Sequence, residues 1–251
     1  MTEMKALDLF CCDGGAAVGL HHAGFDEIVG IDINPHPNYP FDFIQMDLTK
    51  GLPVKIDTFD FIWASPPCQQ FTTATNNTLK MHGNRCRHGK EYPNLIPLTR
   101  EILKTFNGPS VIENVPNAPI KKHLVLCGAM FGLKTYRHRH FELSGFRCEQ
   151  PRHPNHFLKT SKAEMFCIVG DTPLMPGQWG DKIRRKEGRK KLKAQIDSIG
   201  GVTKLYQETM GIFHTEDRLA IAEAVPPAYA EYIGKEFFRT REFYKPSGVT
   251  E

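Results

Sequence analysis

Four short apolar runs, each with a residue that can carry chemistry at or next to its end, dominate the first 70 positions and leave few folds open. KALDLFC (5–11), EIVGIDIN (27–34), FDFIQMDL (41–48) and FDFIWAS (59–65) read as buried strands. After the first lies DGGAAVGLHHAGF, where glycines give way to small and apolar residues at helical spacing. Strands alternating with helices need crossover connections, which build a parallel sheet. The expected fold is α/β, Rossmann-like. At 251 residues, 40% of them hydrophobic, the chain suits one such core with a small insertion.

The rest of the chain is less regular. Residues 72–92 are polar and read as a loop. PNLIPLTREILKTF (93–106) reads as a helix with Pro97 near its first turn, SVIENV (110–115) as a fifth strand, and YRHRHFEL (136–143) as a strand entered from a basic turn. Residues 145–210 are rich in Pro, Gly, His and basic residues and read as an insertion between a domain over 1–144 and a returning segment over 211–251. Within it, KIRRKEGRKKLK (182–193) carries eight Lys or Arg and one Glu. The bland reading is a solvated helix face or loop. The return holds TEDRLAIAEA (215–224), with Thr215 as expected N-cap, and a last helix over 226–238.

Net charge is +4, which permits a nucleic-acid partner without requiring one. The seven cysteines are an odd number without small-domain spacing, so reduced thiols and a cytoplasmic setting are expected. MTEMKALDLF has no signal-peptide pattern, and no run of apolar residues is long enough to span a membrane.

Ligands of doubly wound sheets lie outside the carboxyl ends of the strands. Gly14 and Gly15 follow the first strand and would let backbone approach a ligand. Asp32 ends the second strand and Asp47 the third, positions suited to a ribose and an adenine or ammonium group. The third glycine of the dinucleotide fingerprint is absent, so an adenosine-type cofactor is favoured over a nicotinamide dinucleotide. In SPPCQQF the two prolines fix φ and stop the fourth strand, setting Cys68 in a stiff turn beside that pocket. Glu113 ends the fifth strand at the same edge. Arg137 and Arg139, two apart, fall on one face of a strand. Cys148, His153, His156 and Cys167 match no common zinc spacing; surface histidines contacting nucleic acid are the favoured reading, and no metal is expected.

The order DLFCCDGG, SPPCQ, ENV, RHRHF, AEAVPPAYAEYIG resembles the cytosine-carbon-5 DNA methyltransferases over residues 6–143 and 211–238, looking most like the small phage and actinobacterial members. The resemblance implies a class I S-adenosylmethionine-dependent methyltransferase fold with a small target-recognition insertion. It makes Cys68 the nucleophile that attacks carbon 6 of a flipped-out cytosine, Glu113 the acid at ring nitrogen 3 and the exocyclic amine, and Arg139, with Arg137 beside it, the holder of the base carbonyl. Around S-adenosylmethionine it places Phe10, Cys11, Cys12, Asp13, Gly14 and Gly15. Asp32 with Ile33 falls at the ribose, Asp47 with Leu48 near the adenine, and Pro67, Ala224 and Val225 line the pocket. The sequence departs from the family at Cys12 for a Gly, Thr135 for a Gln and Glu223 for the Asn before Ala-Val-Pro-Pro.

A thiolate is the reactive form, so Arg137, Arg139 or the turn after Cys68 is expected to lower its pKa. The partner implied is double-stranded DNA, bound by a monomer. Arg85 and Arg87, with His88 and Lys90, are candidates for phosphate contact in the polar loop. Lys182, Arg184, Arg185, Arg189, Lys190 and Lys191 are candidates in the insertion. Rival readings are a tRNA cytosine methyltransferase, a phage enzyme using a modified sulfonium cofactor, a silent DNA-binding module, and thymidylate-synthase-like chemistry on a free nucleotide. The intact Cys68, Glu113 and Arg139 weigh against the silent module.

Overall fold

The computed structural model describes residues 3–72, 92–156, 165–169, 172–174 and 182–241, with backbone alone for 169, 172–174 and 182–188. Its strands are β1 (Lys5–Leu9), β2 (Glu27–Asp32), β3 (Asp42–Gln45), β4 (Phe61–Ala64), β5 (Ser110–Asn114), β6 (Leu124–Leu126) and β7 (Arg139–Ser144), with a separate hairpin of β8 (Cys167–Val169) and β9 (Thr172–Leu174). Its helices are α1 (Gly15–Ala23), α2 (Ile96–Lys104), α3 (Lys182–Ile199), α4 (Val202–Met210), α5 (Arg218–Glu223) and α6 (Pro227–Thr240).

The seven strands form one sheet in the order β3-β2-β1-β4-β5-β7-β6. The first five are parallel, and β7 enters antiparallel between β5 and β6. The chain runs outward from β1 through β2 to β3, then returns to β4 on the other side of β1. That reversal leaves a crevice beyond the carboxyl ends of β1 and β4. All four residues of β4 are buried, as a strand covered on both faces requires.

One face of the sheet packs Ala17 and Leu20 of α1 with Tyr229, Ala230, Ile233 and Phe237 of α6. The other packs Leu7, Leu9, Ile31 and Ile62 against Ile102 and Phe106 at α2. A further cluster joins Phe166 and Ile168 to Leu192 of α3, Leu205, Tyr206 and Met210 of α4, and Ile221 and Ala222 of α5. The inserted helices therefore share a core with the returning segment, across the compositional boundary at 210.

The predicted strands form, and two details differ. β6 comes from LVL, a run too short to signal itself. The whole basic stretch lies in α3, in keeping with the solvated helix face expected: Leu192 is buried while Arg189, Lys190, Lys191 and Lys193 are exposed. Asp217, not Thr215, caps α5, accepting from the amides of Leu219 and Ala220. Thr215 is buried and its hydroxyl accepts from the Asp217 amide instead. Among the described residues no helix is long and apolar enough to cross a membrane.

Candidate active site

A cavity of about 540 Å³ opens beyond the carboxyl ends of β1, β4 and β5. Its walls include Phe10, Cys11 and Cys12 after β1, Pro66, Pro67 and Cys68 after β4, and Glu113 of β5. Arg137, Arg139, Ala224 and Val225 also line it, with Phe166 and Cys167 from the insertion.

Strand register explains why the reactive groups meet. Ala64 is level with Ile112, and Glu113 with Phe141. Glu113 thus lies one step past the end of β4, and Arg139 opens β7 on the other side. The Arg139 Nε donates to Glu113 Oε1 at 2.8 Å, with side chains only 13% and 7% exposed. Burial pushes the Glu113 carboxyl up, opposed by Arg139 and by a hydrogen bond from Ser65.

Cys68 precedes a single 3₁₀ turn, Gln69–Phe71, and packs against Ile96, Val115 and Ala118. The proline turn before it is fastened by Asn114, which is fully buried. Asn114 Nδ2 donates to the Pro66 carbonyl at 2.8 Å while its Oδ1 accepts from the Val115 amide at 2.9 Å. Asn114 lies in the ENV stretch, but only the fold reveals that it holds the thiol's support. The expected lowering of the Cys68 pKa is not found. Burial raises it, Glu113 adds to the rise, and the pull of Arg139 and Arg137 does not overcome them.

Arg137 and Arg139 do different work. Arg137 sits at φ 30, a strained value for a side-chain-bearing residue. Its Nη2 donates to the carbonyls of Ala222 and Ala224, both at 2.7 Å, and the Tyr229 hydroxyl donates to its own carbonyl at 2.9 Å. Burial and the charge of Arg139 lower it to about 9. Arg137 thus straps the segment before α6 to the β7 turn, rather than standing beside Arg139 as a second holder of one group. Glu223, at the rim, does not share that strap.

The glycine loop also differs from expectation. Gly14 takes φ +87, and a Cβ on it would lie 2.8 Å from Pro40. A Cβ on Gly15 would lie 2.3 Å from the Val225 carbonyl oxygen. Both glycines therefore admit protein backbone and side chain. Cys12 adopts φ 46, the left-handed region where the family's glycine is at ease.

Asp13, Gly14, Gly15, Asp32, Ile33, Asp47 and Leu48 are not among the cavity's lining residues. Asp32 is buried and accepts from the amides of Cys12 at 3.2 Å and Asn34 at 2.9 Å. His36 bridges it to Asp13, with Nδ1 2.6 Å from Asp13 and Nε2 3.5 Å from Asp32. Asp47 caps a 3₁₀ turn by accepting from the Thr49 amide and hydroxyl. Leu48 is buried in the core, and Ile33 stands 57% exposed just past β2.

Two participants escaped the sequence reading. Asp8 lies fully buried in β1 on the cavity wall, with its carboxyl pushed well above the usual range by burial and by Asp32. An acid inside an apolar strand was its only signal. His36 sits in the PHPNYP loop, whose turn no periodicity predicts. Of the proposed phosphate contacts, Arg85, Arg87, His88 and Lys90 lie outside the described residues, as do the side chains of Lys182, Arg184 and Arg185.

Comparison with known proteins decides the family. The model of the C-5 cytosine-specific DNA methylase matches residues 4–131, just over half of the chain. The chain belongs to the C-5 cytosine-specific DNA methylase family. It is 29% identical over 162 residues to the type II methyltransferase M.HgiDI of Herpetosiphon aurantiacus, covering 59% of this chain and 49% of that protein. The chain therefore spans about half the length of that relative. The methylase fold extends over nearly the whole chain. The Entamoeba histolytica methyltransferase EhMeth aligns with TM-score 0.60 at 12% identity, covering 98% of this chain and 100% of that one. A Spodoptera frugiperda DNMT2 mutant aligns with TM-score 0.57 at 16% identity, covering 94% and 99%.

Proposed function

We propose that this methylase-family chain is a DNA cytosine-5 methyltransferase, that Cys68 is its nucleophile, and that double-stranded DNA is its substrate. The observation that carries the reading is the convergence of the Cys68 thiol, the Glu113 carboxyl and the Arg139 guanidinium on one cavity wall, beside the loop after β1.

The residues present suit an adenosine-type cofactor. The cavity is of ligand size. Phe10, Pro67 and Val225 offer it apolar walls, and exposed Ile33 and the Asp32 carboxylate lie at the end of β2. Phe10, Pro67 and Val225 would hold S-adenosylmethionine, which supplies an electrophilic methyl group when bound.

The chain's own residues do the rest. Carbon 5 of cytosine is a weak nucleophile until a thiolate adds to carbon 6. A base must leave the duplex to enter a cavity behind Pro67 and Cys68. Cys68 gives up its proton to water and its sulfur bonds to carbon 6. Glu113, with its pKa raised, supplies a proton to ring nitrogen 3 as electron density moves there. Arg139 orients Glu113 and can donate to the base carbonyl. Once carbon 5 is substituted, its proton passes to water, the sulfur–carbon bond breaks to release Cys68, and ring nitrogen 3 returns its proton to Glu113. A buried thiol suits this cycle, since its activation awaits the base that occupies the wall. The exposed Arg189 and Lys190, with Lys191, are suited to backbone phosphates.

The test is transfer of labelled methyl from S-adenosylmethionine to duplex DNA and, in parallel, to tRNA. The reading expects 5-methylcytosine in DNA and none with Cys68→Ser. Methylation of tRNA alone would replace the substrate, and label in neither would overturn the reading.

A further inference from the structure

Outside the cavity, four side chains that the sequence does not group come together. Cys127 follows β6, His138 sits between the two arginines before β7, and His153 and His156 lie three apart beyond β7. Their ligand atoms all fall within 4.8 Å of one another. The His138 and His153 Nε2 atoms are 2.9 Å apart, those of His153 and His156 3.1 Å, and the Cys127 sulfur is 3.4 Å from His156 Nε2. Around one tetrahedral zinc ion, nitrogen pairs would sit about 3.3 Å apart and nitrogen–sulfur pairs about 3.6 Å. These three separations are thus within a few tenths of an ångström of that geometry, slightly contracted.

We propose that Cys127, His138, His153 and His156 form a structural zinc site that fastens the segment after β7 to the turn carrying Arg137 and Arg139. A thiolate with three imidazoles suits zinc, and four protein ligands leave no open position for catalysis. No carboxylate belongs to the group, so three imidazole nitrogens face one another around a point where a cation would satisfy all of them. The surroundings support the set. The amides of Ala129 and Met130 hydrogen-bond the Cys127 sulfur, as outer-shell donors do for a metal-bound thiolate. Gln150 docks the incoming segment on the edge of β6, accepting from the Val125 amide at 2.9 Å and donating to its carbonyl at 2.8 Å. The Tyr136 ring stands edge-on to His156 with centroids 3.9 Å apart.

The pattern of Cys148, His153, His156 and Cys167 is corrected accordingly. Cys148 packs toward α6 with Tyr232 and Glu236 nearby, and Cys167 lines the cavity. The site also has a consequence for Arg137. A residue at φ 30 persists only where its neighbours over-determine it. Fixing His138 on a metal would pin the next residue along.

The test is metal content of the purified full chain, which does not depend on methyl transfer. One zinc per chain is expected, falling to a small fraction with Cys127→Ser or His153→Ala and unchanged with Cys148→Ser or Cys167→Ser. Cobalt loaded into the wild type should show a thiolate-to-metal charge-transfer band and tetrahedral visible bands, which decides the matter should a variant fail to fold. A wild type that takes up neither metal, or zinc retained in the Cys127→Ser, His153→Ala double variant, would overturn the site.

Discussion

The two sides of the sheet's crevice use buried charge in opposite ways. On the β4–β5–β7 side, Glu113 and Arg139 form a pair on the cavity wall, with Arg139 also donating to the His138 carbonyl at 3.0 Å. On the β2–β3 side, Asp32 is taken up by two amides and His36, and Asp47 by its own turn. The first side keeps raised pKa values and reactive groups. The second has depressed carboxylates held by donors. Strained or under-satisfied polar groups gather where chemistry is done.

That contrast can be broken first at the reactive side. Glu113→Gln keeps the size and the Arg139 contact but removes the titrating proton, so kcat should fall about 10²- to 10⁴-fold with little change in cofactor affinity. Steady-state kinetics with separate cofactor titration checks it; an equal loss in binding would place Glu113 among the structural groups. The next effect is Asn114→Ala. It leaves the buried Pro66 carbonyl and Val115 amide without partners and should cost about 1–3 kcal/mol by denaturant unfolding, with activity lost alongside.

The smallest effect belongs to the satisfied side. The His36 pKa is raised, chiefly by its hydrogen bond to Asp32. Its contribution is therefore fully present below the unfolded histidine value of about 6.5 and is lost as pH rises through the folded value. Partial exposure limits this to under about 1 kcal/mol. His36→Gln should flatten the fall in thermal stability of the wild type between mildly acid and mildly alkaline pH. An unchanged slope would show that the bridge to Asp32 contributes nothing.

How much of this was legible follows from where each residue sits. Cys68, Glu113 and Arg139 each lie at a strand end, and strand ends can be read from apolar runs and the prolines that stop them. Asp47 also ends a run, yet its neighbour Thr49 absorbs it, a local contact that spacing does not reveal. Arg137 looked equivalent to Arg139 because period two places both on one face. The left-handed turn at Arg137 breaks that period and sends its side chain to Ala222 and Ala224. β6 was missed because three residues carry no pattern. The Cys127 and His138 pairing was missed because β6 and β7 had first to be laid side by side. The helices of the insertion hide their apolar face among lysines, where charge overwhelms periodicity.

The central claim concerns the Cys68 sulfur, and covalent trapping tests it most directly. Duplex DNA bearing 5-fluorocytosine at methylated positions, incubated with the chain and S-adenosylmethionine, should give a denaturation-resistant complex whose peptide mass maps the bond to Cys68, with none from Cys68→Ser. Methylation of ordinary DNA without any such complex, or an adduct on a different cysteine, would contradict the account.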